Sequence, residues 1–357
     1  MPMLRLTAVL FAVPCILLSL PRAEAAVMLL RVGAGADCDY RTDSLPNALQ
    51  SAINAVPTSI STGDAYVIRV ARNGHYAGAK VEVLNRTVII EGGYATCSSA
   101  TPGTNNTVID AQSLLSGPVM RINGETAQRR VSLRNITIQG GSGSTGHGLL
   151  IHNADVELAR VTVQENLGAT YGAGIRIDGA GLGATLHLHA NSSVASNEAN
   201  QDGGGIHCSG GASLRLDADS SVIANIAESN GGGIAIQGCN ASINSGASGL
   251  AGLFVNIGFN HAHIGGGIAV LAGGESNVFM GSLEGSNNDT RPLIINNTAT
   301  SQGGGIYVSG SNSQLDIRNA LIANNDGGSM GGGIMVRGGA RVKMGRTSRR
   351  CEGTGCS

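Results

Sequence analysis

The sequence predicts an all-β fold built as a parallel β-helix, a solenoid of short stacked strands with one helix over its first coil. Three observations carry that prediction. The chain of 357 residues holds 55 glycines, about double the ordinary share. A tetrad of small residues ending in isoleucine recurs six times. Before every tetrad stands a β-branched residue followed, three positions on, by asparagine.

Composition narrows the class further. Charged residues make up 13% of the chain and the net charge is −1. A hydrophobic content of 42% excludes a disordered chain. Glycine at every third position, which collagen needs, is not present. Nucleic acid is not an expected partner, because there is no basic surplus, no Trp and few other aromatics.

Taken in order, residues 1–25 read as a secretory signal. Arg5 supplies the positive end, Leu6 to Leu20 the apolar segment, and Ala23-Glu24-Ala25 the cleavage site. Pro14 and Pro21 interrupt the segment, which is too short to span a membrane. Val13 and Pro14 before Cys15 argue against a lipoprotein anchor. The chain is therefore expected to be exported through a Sec-type signal. Six cysteines remain in the mature chain, and an even count in an exported protein permits disulfides. Cys38 with Cys97 and Cys351 with Cys356 are the candidate pairs, although six cysteines allow fifteen pairings. Cys208 falls on an inward position, where a packing thiol is expected; a bridge to Cys239 is the less favoured alternative.

Residues 26–65 read as an N-terminal cap containing a helix over 45–56. Pro46 fits a first turn, and Ala48, Leu49, Ala52, Ile53 and Val56 make one apolar face. Residues 66–344 read as the β-helix. Its early coils show short β-rich runs at Tyr66–Val70, Thr87–Glu91, Thr107–Asp110, Val119–Ile122, Val131–Ile138, Leu149–Ile151 and Val156–Val163. The regular repeat covers 163–336. Its tetrads end at Ile175, Ile206, Ile234, Ile268, Ile306 and Ile334, at spacings of 31, 28, 34, 38 and 28. The paired asparagines are Asn166, Asn197, Asn225, Asn260, Asn297 and Asn325.

After each tetrad, apolar or Cys residues alternate with others, as in a strand with one buried face. A second strand and the VxxN element complete a repeat of three short strands and three tight turns. Stacking gives each strand a neighbour above and below. Glycine suits the tight turn before the first strand. Asparagine tolerates left-handed backbone, and its amide can form a ladder along the axis. Extra residues of the longer repeats fall in loops near Ser242–Phe254 and Ala272–Pro292. About ten coils are expected, roughly 50 Å of rod. Residues 345–357 form a basic, Cys-containing tail.

VxxN followed by GGGI resembles the repeat of the polymorphic outer membrane protein family, whose members are exported β-helical surface proteins. The resemblance covers Val163 to Val336, about half the chain. The wider chain resembles the pectin-lyase-like superfamily of single-stranded right-handed parallel β-helices. Gly74-His-Tyr76, Ile90-Glu-Gly-Gly-Tyr94, Gly146-His-Gly-Leu149 and the capping helix carry that likeness. It implies an adhesin-like or passenger-like module whose partners are a host surface, a polysaccharide or the outer-membrane surface. No run of barrel-type strands follows Val336, so a free passenger or a truncated product is expected.

The same superfamily contains lyases and glycoside hydrolases, so the fold alone decides nothing. Glycoside hydrolysis usually needs two carboxylates, and a calcium-assisted lyase needs an acidic oxygen cluster and a base. The outward column after the tetrads reads Arg176, His207, Ala235, Ala269, Tyr307, Met335, without a carboxylate. The outward column of the second strand reads His187, Arg215, Phe279, Asp316, Lys343, with one. Neither is expected to form a catalytic cluster.

The weak catalytic candidates are His147, Arg176 and Asp178. Gly146-His147-Gly148 resembles a polygalacturonase motif whose NTD and paired-Asp partners are missing, and Arg176-Ile177-Asp178 stands where that family has RIK. Arg291-Pro292 resembles part of a pectate-lyase pattern, and Asp155, Asp178 and Asp202 are turn aspartates that could share calcium. His261 and His263 have metal-compatible spacing without a visible third ligand. The tetrads lack the aspartate of calcium-binding nonapeptides. The expectation is a non-catalytic module with no metal and no cofactor. The alternative is a lyase or hydrolase acting on acidic polysaccharide, with calcium only under the lyase reading. Two or more carboxylates beside a His, Lys or Arg on one outward face would favour that alternative.

Overall fold

The computed structural model describes residues 27–59, 65–78, 80–113, 117–125, 127–245, 254–282 and 291–345. The expected signal segment, Cys351, Cys356 and parts of both expected loops lie outside the described residues. The chain winds as an all-β parallel β-helix. Its strands align into a twelve-stranded, a nine-stranded, an eight-stranded and a five-stranded sheet. We call these the lateral, tetrad, corner and flange sheets.

One complete coil shows the order. It runs from Ile206–Ser209 in the tetrad sheet to Ser213–Leu216 in the lateral sheet, Ser221–Ile223 in the corner sheet and Ile226–Ala227 in the flange sheet. Register is one coil per step. Ile175, Ile206, Ile234, Ile268, Ile306 and Ile334 are successive partners, and all but Ile334 are fully buried. Complete burial of such a side chain contributes roughly 2–3 kcal/mol. Twelve strands at about 4.8 Å make a lateral sheet about 50 Å long.

The flange sheet corrects the expectation of three strands per repeat. Its strands, such as Leu167–Tyr171 and Glu198–Asp202, lie between each asparagine and its tetrad. They escape a sequence reading because LGATY and EANQD lack alternating apolar residues and bury only one small side chain each, Ala169 and Ala199.

The three tetrad glycines have different duties. The first has positive φ, between 61° and 70° across the six copies, which only glycine adopts cheaply. At the second, a Cβ on Gly204 or Gly304 would stand 2.1–2.2 Å from a carbonyl oxygen of the next coil. At the third, a Cβ on Gly205 would stand 2.6 Å from Gly233 O and 2.9 Å from Asn225 Nδ2.

The asparagines form a continuous ladder. Nδ2 of Asn166, Asn197, Asn225, Asn260 and Asn297 donates to Oδ1 of the next asparagine at 2.9–3.1 Å. The same oxygen also accepts the preceding asparagine's backbone N–H at 2.9–3.2 Å. Asn166 to Asn297 are at most 1% exposed, so these satisfied amides sit in the dry wall of the rod. Their backbone role differs from the expected one. Left-handed φ falls on the residue before each asparagine (Glu165, Ser196, Ala224, Phe259, Asn296 and Asn324), not on the asparagine itself.

The helix spans Ala48–Ala55, shorter than expected. Leu45 is exposed and Asn47 is the N-cap, which leaves Pro46 outside the first turn. Val56 is extended before Pro57, as a residue preceding proline prefers. The expected apolar face of Ala48, Leu49, Ala52, Ile53 and Val56 is buried. Residues ahead of the helix also form Val27–Gly33, which pairs in parallel with Ala65–Ala71 and carries the lateral sheet into the cap region.

Cys38 is bonded to Cys97. Cys208 is bonded to Cys239, which replaces the packing thiol expected there. The inward register of Cys208 was read correctly, but it also sets the side chain against the turn of the following coil. Such bonds persist in oxidising, extracytoplasmic surroundings. Among the described residues no helix is long and apolar enough to cross a membrane.

Candidate ligand-binding site

Two groups of polar side chains stand out, one on each outward face. The first lies where the flange turn folds back over the tetrad sheet. His207, Ala235 and Ala269, outward in register, are nevertheless 4%, 0% and 0% exposed. Tyr171, at the end of a flange strand, packs its ring 5.1 Å from that of His207, and the Arg176 guanidinium lies 5.8 Å from the Tyr171 ring. His147 joins them from the preceding turn, its Nδ1 3.1 Å from Gly172 O. Burial is the main force that lowers His147 to about 4, and the Arg176 charge adds to it. Burial, then Arg176 and His147, lowers His207 to about 4. Both ring nitrogens of His207 lack a hydrogen-bond partner.

The structure thus brings His147 and Arg176 together, with His207 and Tyr171, but does not turn them into an acid–base device. Both imidazoles are neutral at physiological pH and sealed from solvent. The Asp178 carboxylate is committed to its own turn, accepting Ala180 N–H at 3.0 Å.

The second group lies on the outward face of the lateral sheet. Glu157, His187 and Arg215 are register partners on three successive coils. His189 Nε2 is 2.8 Å from Glu157 Oε1, and His187 Nε2 is 2.7 Å from Asp217 Oδ2. The two imidazoles stack at 4.7 Å. Arg215 reaches the same aspartate, Nη2 to Oδ2, at 2.8 Å. Burial alone would raise the Asp217 carboxyl, but hydrogen bonds from His187 and Arg215 hold it below the ordinary carboxylate value. It is therefore an anion at neutral pH, unsuited to donate a proton.

This group corrects the expectation of no outward cluster. Glu157 belongs to the coil before the regular tetrads, and Asp217 lies just beyond its strand, so a column read from the repeat passes over both. A signal was present. His187-Leu-His189 alternates around a buried Leu188, and Glu157 stands 30 residues before His187, close to one repeat.

The face continues in both directions. Arg69, Glu91 and Arg134 are partners on earlier coils, and Arg69 lies 4.9 Å from the Tyr94 ring. Phe279 and Asp316 are partners on later coils, where Arg318 pairs with Asp316 at 2.9 Å and lies 5.5 Å from the Phe279 ring. A depression lined by the glycine turns Gly210, Gly238 and Gly274, with Asn240, Glu275 and Asn277, borders this face.

The remaining candidates stay apart. Asp155 accepts from Gln128, and Asp202 from Asn230; with Asp178 they lie on three different sheets and share no site. His261 and His263 are exposed, and His263 meets Thr300. Arg291 is described but joins neither group. Arg337, Arg341 and Lys343 stand on the last described strands.

No family model matches the chain. No curated protein matches it either. Among solved structures, a pectin methylesterase from Aspergillus niger in deglycosylated form is similar, with 10% identity and a TM-score of 0.33 over 91% of this chain and 88% of that one. At that distance, statements about what this chain does rest on its own geometry.

Proposed function

We propose that the protein is an exported β-helical binding module that holds an extended acidic or polar polysaccharide along the outward face of its lateral sheet without cleaving it. One observation carries the reading. Two adjacent outward columns of the lateral sheet carry charge of both signs, with Arg69, Arg134, Arg215 and Arg318 beside Glu91, Glu157, Asp217 and Asp316. Strands about 4.8 Å apart set these groups along one line of the rod, which suits an extended polymer. Arginine offers planar, multiple donors to carboxylate or hydroxyl groups. The partly exposed Phe279 ring adds apolar contact, and the glycine turns alongside expose bare backbone. The two disulfides support an extracellular setting.

A second reading, a carbohydrate-active enzyme, is favoured by the coincidence of Glu157 and Asp217 with two histidines and Arg215. Against it, each carboxylate is held by a histidine, and the Asp217 carboxyl is lowered rather than raised. Retention of the mature chain on immobilised acidic polysaccharide tests the proposal. Arg215→Glu and Arg318→Glu should each weaken retention several-fold, whereas Arg341→Glu on the last coil should do so less. Equal retention of all variants would reject the lateral face.

A further inference from the structure

We infer that Glu157, His187 and His189 form a binding site for one divalent transition-metal ion of the zinc type. The three side chains come from adjacent coils, and one ligand atom of each lies within 4.8 Å of the other two. His187 and His189 are two apart on the strand Thr185–His189, so both imidazoles leave the same face. Leu186 and Leu188, both fully buried, fix that strand from beneath. Glu157 is the register partner of His187 and already touches His189 Nε2 at 2.8 Å. An ion placed among them would need ligand distances of about 2.0–2.2 Å.

Asp217 distinguishes this group from a chance meeting of surface side chains. Its Oδ2 lies 2.7 Å from His187 Nε2. A histidine that donates one ring N–H to a carboxylate presents a lone pair on the other nitrogen, so His187 binds through Nδ1. Such a carboxylate behind a ligating histidine fixes the tautomer and raises its basicity. Two imidazoles and one carboxylate favour zinc, copper, nickel or cobalt over calcium or magnesium. Glu157 and Asp217 bring two negative charges toward a divalent ion, of which Arg215, paired with Asp217, offsets one. The two histidine side chains are 28% exposed and Glu157 is 40% exposed, which leaves a coordination position open to solvent. His261 and His263, with the same spacing, have no third ligand of this kind among the described residues. The site stands independently of polysaccharide binding, because the metal alone is its ligand.

The test is equilibrium dialysis of the mature chain against zinc alone at neutral pH, with Cys351→Ser and Cys356→Ser present so that neither residue can take up zinc. One equivalent of zinc is expected. Glu157→Gln and His189→Ala should each weaken binding by about tenfold or more, and Asp217→Asn by about tenfold. His261→Ala should leave it unchanged. Cobalt in place of zinc should give a visible absorption band that Glu157→Gln alters. Binding well below one equivalent would overturn the inference, as would binding unaffected by Glu157→Gln and His189→Ala, or lost in His261→Ala. Glu157→Gln and Asp217→Asn keep side-chain shape on an accessible face, so they carry the test if His189→Ala fails to fold.

Discussion

Removing one central rung of the asparagine ladder is expected to cost far more than removing a terminal one. Asn225 is fully buried, and its side chain makes four hydrogen bonds. Oδ1 accepts from Asn197 N at 3.0 Å and Asn197 Nδ2 at 2.9 Å; Nδ2 donates to Val194 O at 3.0 Å and Asn260 Oδ1 at 3.1 Å. At about 1 kcal/mol for each lost bond, and more for the stranded Asn197 N–H, Asn225→Ala should cost about 4–5 kcal/mol. Asn325 is half-buried, so water replaces part of what is lost, and Asn325→Ala should cost about 2 kcal/mol. Asn200 is exposed and its side chain makes a single bond to Gly168 O at 2.9 Å; Asn200→Ala should cost less than about 1 kcal/mol. Urea unfolding followed by circular dichroism measures all three. If Asn225→Ala and Asn200→Ala cost the same, the ladder does not hold the coils together and the reasoning fails.

Three further outcomes follow from the same structure. His147 and His207 are lowered from 6.5 to about 4 in the folded state, so the unfolded chain binds more protons between those values. Stability should therefore be complete above pH 6.5 and fall as pH drops to 4, by at most about 3 kcal/mol for each histidine. His207→Leu should reduce that loss in urea titrations across the window, and an unchanged slope would contradict it. Gly205→Ala should destabilise by several kcal/mol because its Cβ meets carbonyl and amide atoms, whereas Gly211→Ala has open space and pays only for a φ of 79°, about 1–2 kcal/mol; thermal melts should separate the two. Replacing Cys208 and Cys239 together by Ser should remove about 2–4 kcal/mol, since their bond closes a chain segment with a separation of 31. Insensitivity of the native chain to reductant under mild denaturant would contradict that assignment.

Much of the architecture was legible because it repeats. The tetrads from Ile175 to Ile334 and the asparagines from Asn166 to Asn325 mark one turn and one corner per coil, and stacking follows from their spacing. The flange strands were not legible, because Leu167–Tyr171 and Glu198–Asp202 hold their place by backbone pairing rather than by a buried alternating face. The ladder was read for the right amide chemistry but the wrong backbone role, since the left-handed strain sits on neighbours such as Ala224 and Phe259. His147 and Arg176 were singled out from a motif, and the structure does unite them; burial, which sequence does not display, keeps the His147 imidazole away from solvent and lowers it to about 4. The Glu157–His189 and His187–Asp217 pairs were missed because they join coils about 30 residues apart, across the border between irregular and regular repeats.

The central claim is that the lateral face binds polymer without cutting it. It is tested most directly by incubating the mature chain with soluble acidic polysaccharides, with and without calcium, while following retention and the appearance of unsaturated or reducing ends. The account predicts retention that weakens in Arg215→Glu, with no new chain ends under either condition. Release of sugars that disappears in Glu157→Gln or Asp217→Asn would contradict it and make the same cluster an active site.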